Sequence, residues 1–115
     1  MSATDGVRAL ILTSTIATSI DNIDILSAKT IAGELERFPP QNIITISPTE
    51  RKYEFYLTEL EAIGDLIGMS LYGNGATVAL GDGTEMATSV VSIEKTGSQS
   101  LLIYWTVKVV AQDGL

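Results

Sequence analysis

Hydrophobic and polar residues alternate along much of the second half of the chain, which is the pattern of β-strands that bury one face. The longest alternating run lies near the C-terminus. One face of this run carries Leu101, Ile103, Trp105, Val107 and Val109, and the other carries Leu102, Tyr104, Thr106, Lys108 and Val110. Shorter runs predict further strands over residues 53–58, 66–72 and 89–95.

The segments between these runs are rich in glycine, asparagine and aspartate. Glycine and asparagine adopt the positive backbone φ angles that tight turns need. Turns are therefore predicted at Gly73-Asn74-Gly75, Gly81-Asp82-Gly83 and Thr96-Gly97-Ser98. The glycine spacing matches neither a Walker loop nor a dinucleotide-binding loop, so these glycines are interpreted as turn residues and not as a phosphate site.

The first half of the chain is less regular. Ile23 and Ile25 alternate only briefly. Residues 34–38 alternate and stop at Pro39-Pro40, because proline supplies no donor to a strand ladder. Residues 42–47 contain three isoleucines and predict a buried strand that ends before Pro48.

The N-terminal residues fit two descriptions. Ser2 or Thr4 can cap a helix, and three apolar residues then fall on one helical face. These residues are Val7, Leu10 and Ile11. The threonine- and isoleucine-rich run that follows favours extended chain. The sequence therefore predicts a short N-terminal helix followed by irregular or extended chain.

Together these elements predict a mainly β fold of about five to seven strands. It is an antiparallel β-sandwich or a sheet with one short N-terminal helix, with an α+β fold as the alternative. The chain has 115 residues, 45% of them hydrophobic, which fits one domain. Within this single domain, 1–115, the β domain is expected over residues 34–110. Residues 1–33 are expected to contain the helix or a docking segment.

Charge and missing residue types narrow the function. Fourteen acidic residues against seven basic ones give a net charge of −7, which disfavours binding to nucleic acid and to anionic membranes. The absence of cysteine and histidine removes thiolate chemistry, Ser-His-Asp triads and the usual zinc sites. The acidic residues do not follow calcium-loop spacing. No catalytic residue, cofactor or metal site is therefore predicted, and the chain is interpreted as not an enzyme.

A carboxylate enzyme is the remaining catalytic alternative. It needs two carboxylates that face each other across a cleft. The candidates are Glu54, Glu59, Glu61, Asp65 and Glu85. The cations Arg37 and Lys95 are interpreted as surface charges. The apolar stretch over residues 9–20 is too short to cross a bilayer and follows no basic segment, so the chain is expected to be mature as it stands and made in a cytoplasm.

Several short segments resemble, in their order along the chain, the pattern of one protein family. Thr-Asp-Gly-Val-Arg-Ala-Leu at 4–10 is similar to Thr-Asp/Asn-x-Gly-x-x-Ala-Leu, and Glu-Leu-Glu-Arg at 34–37 is similar to Glu-Val-x-Arg. After the strand at 53–57, Gly-Asp-Leu-Ile-Gly-Met-Ser-Leu-Tyr at 64–72 resembles Gly-x-Ile-x-Glu-x-Gly-Leu-Tyr/Phe. The order is completed by Gly81-Asp82-Gly83-Thr84, Lys95-Thr96 and Leu101-Leu102-Ile103-Tyr104-Trp105-Thr106-Val107.

This pattern resembles the tail-collar and tail-fibre N-terminal attachment domains of tailed bacteriophages. The chain departs from it at Gly68, where the family has glutamate, at Ser70, where it has glycine, and by one residue fewer between Asp5 and Gly6. Residues 12–32 are unmatched. The family's domain attaches a fibre to a baseplate or collar, and a fibre shaft follows it. Because this chain stops at Leu115, the resemblance implies a free-standing version without a shaft.

The resemblance implies a non-enzymatic structural component of a phage virion, in the tail, collar, neck or baseplate. Its implied partners are other virion proteins and further copies of itself in a homo-oligomer. Its implied location is the virion, after synthesis in the host cytoplasm. A carbohydrate- or receptor-binding β-sandwich is one alternative, built around Tyr53, Tyr56, Tyr72 and Tyr104. A capsid decoration protein is another.

The faces of the last strand suggest where contacts form. Trp105 is expected to be a core anchor. The opposite face, with Leu102, Tyr104 and Val110, is too apolar for an ordinary solvent face. It either packs against the N-terminal segment within the domain or forms a subunit interface, where tyrosine is enriched. Two further aromatic residues complete the set of interface candidates, and these are Tyr56 and Tyr72.

Overall fold

The computed structural model describes residues 6–16 and 23–109, and all of its regular elements are strands. Eight strands lie in this part of the chain. Their bounds are β1 Gly6–Ile16, β2 Ile23–Thr30, β3 Gly33–Phe38, β4 Asn42–Ser47, β5 Glu50–Leu57, β6 Gly64–Gly73, β7 Thr84–Lys95 and β8 Gln99–Val109. The prediction of a mainly β fold is confirmed.

The strands form two four-stranded sheets. Sheet I has the order β1-β8-β5-β4, and sheet II has the order β3-β2-β6-β7. All neighbouring strands are antiparallel except β1 and β8, which run parallel in an unbroken register from Gly6–Gln99 to Ile16–Val109. The two sheets enclose one core between them, as in a β-sandwich.

The short N-terminal helix is not observed. Residues 1–5 lie outside the described part of the chain, and Gly6–Ile16 is strand β1. Leu10, Leu12 and Ile16 alternate along this strand and pack against the core. Period-two alternation together with the ladder to β8 therefore outweighs the helical spacing that the sequence also contains.

The core joins both sheets around Trp105, which is completely buried, so its predicted role as a core anchor is confirmed. Its indole Nε1 donates a hydrogen bond of 2.9 Å to Ser14 Oγ on β1. This bond satisfies the one polar atom of a large buried ring and ties β1 to β8 through side chains as well as backbone. The largest other buried hydrophobic side chains are Tyr53, Phe55, Leu26, Leu57, Leu66, Met69, Leu71, Leu101, Ile103 and Val107.

Strand β4 lies at the edge of sheet I, beyond β5. The prediction of a strand over residues 42–47 is confirmed, but the prediction that it is buried is wrong. Residues 42–46 are all exposed, on both faces of the strand. The reason is that β4 lies at the outer edge of sheet I, where the rest of the described chain covers neither of its faces.

The two glycine turns predicted at 73–75 and 81–83 belong to one loop, residues 74–83, which joins β6 to β7. Asn74, Gly75, Gly81 and Gly83 have positive φ angles in this loop, as the composition predicts. The loop lies against the side of sheet II that faces away from the core. Asp24 Oδ2 accepts a hydrogen bond of 3.0 Å from the Gly75 amide there.

Candidate interaction surfaces

The face of sheet I that points away from the core carries a continuous group of apolar side chains. Because paired residues in a sheet share a face, the register places Ile11 beside Tyr104, Ala9 beside Leu102, and Leu102 beside Tyr56. Leu102 and Tyr104 are half-buried, Tyr56 is exposed, and Ile11 is 75% exposed. We call these five residues, Ala9, Ile11, Tyr56, Leu102 and Tyr104, the sheet I patch.

Polar groups border the sheet I patch. Lys52 Nζ lies 5.5 Å from the centre of the Tyr104 ring and 3.7 Å from Glu54 Oε2. Asn42 Nδ2 donates to Glu54 Oε1 at 3.3 Å. Beyond them, an open groove is lined by Thr13, Ser14, Thr15, Glu50, Thr106 and Lys108. An apolar centre with a polar border is the usual composition of a protein–protein contact surface.

The face of β8 that carries Leu102 and Tyr104 has two interpretations, which are packing against the N-terminal segment and a subunit interface. The described part of the N-terminal segment, β1, lies beside β8 in the plane of sheet I and does not cover that face. It extends the face instead, since Ala9 and Ile11 add to it. Sequence reasoning missed these two residues, because only the parallel pairing with β8 brings them there.

Of the two remaining interface candidates, Val110 is outside the described residues. Tyr72 is on sheet II, on the side away from the core, where two cations of the same chain contact its ring. The Arg37 guanidinium carbon lies 4.3 Å and Lys29 Nζ 5.3 Å from the ring centre. The structure therefore brings together Tyr56, Leu102 and Tyr104, and separates Tyr72 from them.

Arg37 forms the centre of a polar cluster on sheet II. Its guanidinium binds both carboxylate oxygens of Glu34, with Nε–Oε2 and Nη2–Oε1 distances of 2.8 and 3.1 Å. Its Nη1 donates to the backbone carbonyls of Thr77 and Asp82 at 3.0 and 2.8 Å. The interpretation of Arg37 as a surface charge is wrong, because the residue is 4% exposed. It holds loop 74–83 to edge strand β3.

Glu34 completes this cluster from the other side. Its carboxylate also accepts hydrogen bonds from Ser27 Oγ and from the Gly81 amide, the latter at 2.7 Å. Partial burial by itself would raise the pKa of Glu34. The hydrogen bonds from Arg37, Ser27 and Gly81 outweigh this and lower the pKa to about 2. The folded chain therefore stabilises the ionised carboxylate of Glu34 relative to its protonated form.

The low pKa of Glu34 predicts a pH-dependent contribution to stability. A carboxyl whose folded pKa is about 2, against an ordinary glutamate pKa of 4.5, stabilises the fold above pH 4.5, and the stabilisation disappears as pH falls to 2. Glu34→Gln is expected to lower the free energy of unfolding by about 2 kcal/mol at pH 7. This difference from the native chain should shrink toward pH 2, as measured by urea unfolding at several pH values. A loss of stability in Glu34→Gln that is the same at every pH would contradict the low pKa of Glu34.

Lys95, the second cation interpreted as a surface charge, is also buried, with 1% exposure. Its Nζ donates to the Thr58 carbonyl at 2.7 Å, which fixes the loop between β5 and β6. Burial lowers the pKa of Lys95, and attraction to Glu61, Glu36 and Glu59 offsets part of that shift. The interpretation as a surface charge is therefore wrong for Lys95 as well, and both cations hold loops in place.

The carboxylates considered for catalysis lie on several different elements. Glu54 is on sheet I, whereas Glu85 is on sheet II, where Lys29 Nζ and Ser70 Oγ each lie 2.7 Å from its Oε2. Glu61 accepts a hydrogen bond of 2.8 Å from the Thr58 amide in the β5–β6 loop. Over residues 6–16 and 23–109, no three acidic side chains are grouped so that they could bind a metal ion. The same residues contain no helix that could span a membrane.

Comparisons with protein-family models, with curated proteins and with solved structures find no match for this chain. The residues and their contacts are therefore the basis for the function of this chain. The sheet I patch is an apolar group outside the core that the sequence in part predicts, through Tyr56, Leu102 and Tyr104. The polar clusters around Arg37 and Lys95 are explained by the loops that they hold.

Proposed function

We propose that the chain is a non-enzymatic structural component of a phage virion, in the tail, collar, neck or baseplate, that acts by oligomerisation and docking. The observation that carries the proposal is the sheet I patch, in which β1, β8 and β5 present apolar side chains away from the core. The ordered motifs that resemble tail-collar and tail-fibre attachment domains supply the virion context.

The architecture suits a part that works through its shape. Backbone ladders, the Trp105–Ser14 bond and the buried Arg37 and Lys95 contacts hold strands and loops in fixed positions. A surface on rigid strands keeps its geometry when a partner binds, so little ordering is needed on association. The proposed occupant of the sheet I patch is a neighbouring virion protein that offers apolar side chains within a polar border.

A carbohydrate-binding function has weaker support. The four tyrosines considered for it do not form one platform, because Tyr53 is in the core and Tyr72 is on the other sheet. Only Tyr56 and Tyr104 share a face, as diagonal neighbours across β5 and β8. A glycan that binds the native chain but not Tyr104→Ala would favour this alternative.

The proposed function is tested on particles. Tailed-phage particles made from the genome that encodes this chain are purified on a density gradient and analysed by mass spectrometry. We expect the chain to co-purify at a constant ratio to the major tail protein across the particle fractions. An abundant host protein of similar size serves as the control for carry-over. If the chain is abundant in the lysate but no more enriched in particles than that control, the proposal is wrong.

A further inference from the structure

Strand β4 presents an apolar and uncharged edge. Its sequence, Asn-Ile-Ile-Thr-Ile-Ser, contains no ionisable residue. Ile43 and Ile44 lie on opposite faces of the strand and are 47% and 37% exposed. An edge strand has unpaired backbone donors and acceptors along one side, and natural proteins usually place charges there to prevent pairing with another chain. Strand β4 has no such protection between Asn42 and Thr45.

The other three edges of the two sheets differ in this respect. Strand β3 carries Glu34, Glu36 and Arg37, and loop 74–83 is bound to it. Strand β7 carries Glu85, Glu94 and Lys95. Strand β1 carries Arg8. Among the described edge strands, β4 alone is free of charge, which identifies it as the edge with the least electrostatic resistance to pairing.

We propose that β4 pairs with β4 of a second copy of this chain, in antiparallel orientation about a two-fold axis perpendicular to sheet I. Two chains of net charge −7 repel one another, so contact between copies is least opposed where neither contributes a charge. The adjacent strand β5 adds no net charge, since the charges of its four ionised side chains sum to zero. These are Glu50, Arg51, Lys52 and Glu54. The inference deepens the proposed function, on which it depends for its biological purpose, by naming the contact between copies.

Symmetry restricts the register of this pair. A two-fold axis perpendicular to a sheet keeps each face on its own side, so residues can pair only with residues of the same face. Ile44 opposite Ile44 of the second copy satisfies this rule and places Ile43 opposite Thr45. The alternative register places Ile43 opposite Ile43 of the second copy. The irregular register between Thr45 and Ser47, followed by Pro48, limits the ladder to a few residues. The dimer is therefore expected to be weak and dependent on concentration.

Cysteine cross-linking tests the register directly, because the chain has no native cysteine. Directly opposed residues in an antiparallel pair have Cα atoms about 4.5–5.5 Å apart, within the range that a disulfide bridges. We expect Ile44→Cys or Ile43→Cys to form a disulfide-linked dimer under mild oxidation. The matched control is Val90→Cys, a 92% exposed position on β7, the edge strand of the other sheet. If Ile43→Cys and Ile44→Cys both cross-link no faster than Val90→Cys, the proposal is wrong.

Sedimentation velocity over a concentration series supplies the second readout. Ile44→Lys is expected to weaken dimerisation at least tenfold, because in either register it places two cations on the same face of one short ladder, directly opposite each other if Ile44 pairs with Ile44. Val90→Lys is expected to leave dimerisation unchanged. Because both positions are exposed, both variants should fold, which thermal unfolding checks. A native chain that stays monomeric, or an oligomer that Ile44→Lys leaves intact, would overturn the proposal.

The two proposals fail in different ways. A chain that is enriched in particles but is monomeric in solution, or that associates without β4, contradicts the β4 contact and leaves the virion function standing. A dimer linked through β4 that is not enriched in particles contradicts the virion function and leaves the contact standing. A dimer through β4 together with enrichment in particles supports both.

Discussion

Replacing Arg37 with methionine is expected to lower the free energy of unfolding by about 3–5 kcal/mol at neutral pH, because removal of one partner leaves a desolvated charge uncompensated. The guanidinium of Arg37 binds both oxygens of Glu34 and the carbonyls of Thr77 and Asp82. Methionine fills a similar volume but donates no hydrogen bond, so all of these acceptors lose a partner. Urea unfolding at pH 7 measures the loss.

Lys52→Met is the matched control for this prediction. Lys52 also lies near a glutamate, Glu54, but its side chain is 36% exposed and the distance is 3.7 Å. Pairs of this kind contribute about 0–1 kcal/mol, so the control should change little. Hydrogen exchange adds a local readout, because the Gly81 amide, which donates to Glu34, should lose protection in Arg37→Met only. A stability loss no larger than that of Lys52→Met would show that the cluster does not hold the loop.

Gly83→Ala is expected to lower the free energy of unfolding by about 3 kcal/mol through two separate effects. Gly83 has a φ angle of +77°, a conformation that costs an L-residue about 1–2 kcal/mol. A Cβ atom at this position would also lie 2.4 Å from the Ala76 Cβ and 2.6 Å from the Gly73 carbonyl oxygen. Because these neighbours are the backbone at the end of β6 and the short side chain of Ala76, neither can turn aside and the loop itself must move.

Gly81→Ala separates the two effects. Gly81 lies in the same loop with a φ angle of +83°, but an added Cβ would meet nothing within 4 Å. Its substitution should therefore cost only the conformational part, about 1–2 kcal/mol. Thermal or urea unfolding of the two variants side by side gives the difference. Equal losses at Gly81 and Gly83 would contradict the close packing of loop 74–83 against the end of β6.

The strands that the sequence predicts well are those with one face in the core and one face outward. In β5 and β8, residues such as Phe55 and Trp105 alternate with outward residues, so period two is visible in the sequence. Strand β2 is harder to recognise because both of its faces are buried. Leu26 and Ala28 face the core, whereas Ser27 on the other side binds Glu34. The register shift between Ile23 and Ile25 also interrupts the alternation of polarity along this strand.

The position of a strand within its sheet is also absent from local sequence. Three isoleucines in β4 predict a buried strand, and the same three are exposed because the rest of the described chain covers neither face of this edge strand. Parallel pairing of β1 with β8 likewise depends on residues far apart along the chain. Local spacing therefore predicts a short helix in the N-terminal segment, whereas the ladder to β8 makes Gly6–Ile16 a strand.

The sheet I patch was accessible to sequence reasoning only in part. Leu102 and Tyr104 are recognisable because their face of β8 is more apolar than a solvent face requires. The sequence alone predicts surface charges at Arg37 and Lys95, because their backbone acceptors, at Thr58, Thr77 and Asp82, are distant in sequence. A buried cation is recognised from its acceptors, and those become known only with the fold.

The parallel pairing of β1 with β8 also has a consequence for how the chain folds. The first described strand to leave the ribosome is paired with the last one, and closing so long a loop before any contact forms is entropically costly. Sheet II contains only strands made between them, so it can form earlier in synthesis. Until β8 has been synthesised, β1 has no partner in its sheet, and the nascent chain exposes a long apolar strand. Chaperone contact with β1 is expected during that interval.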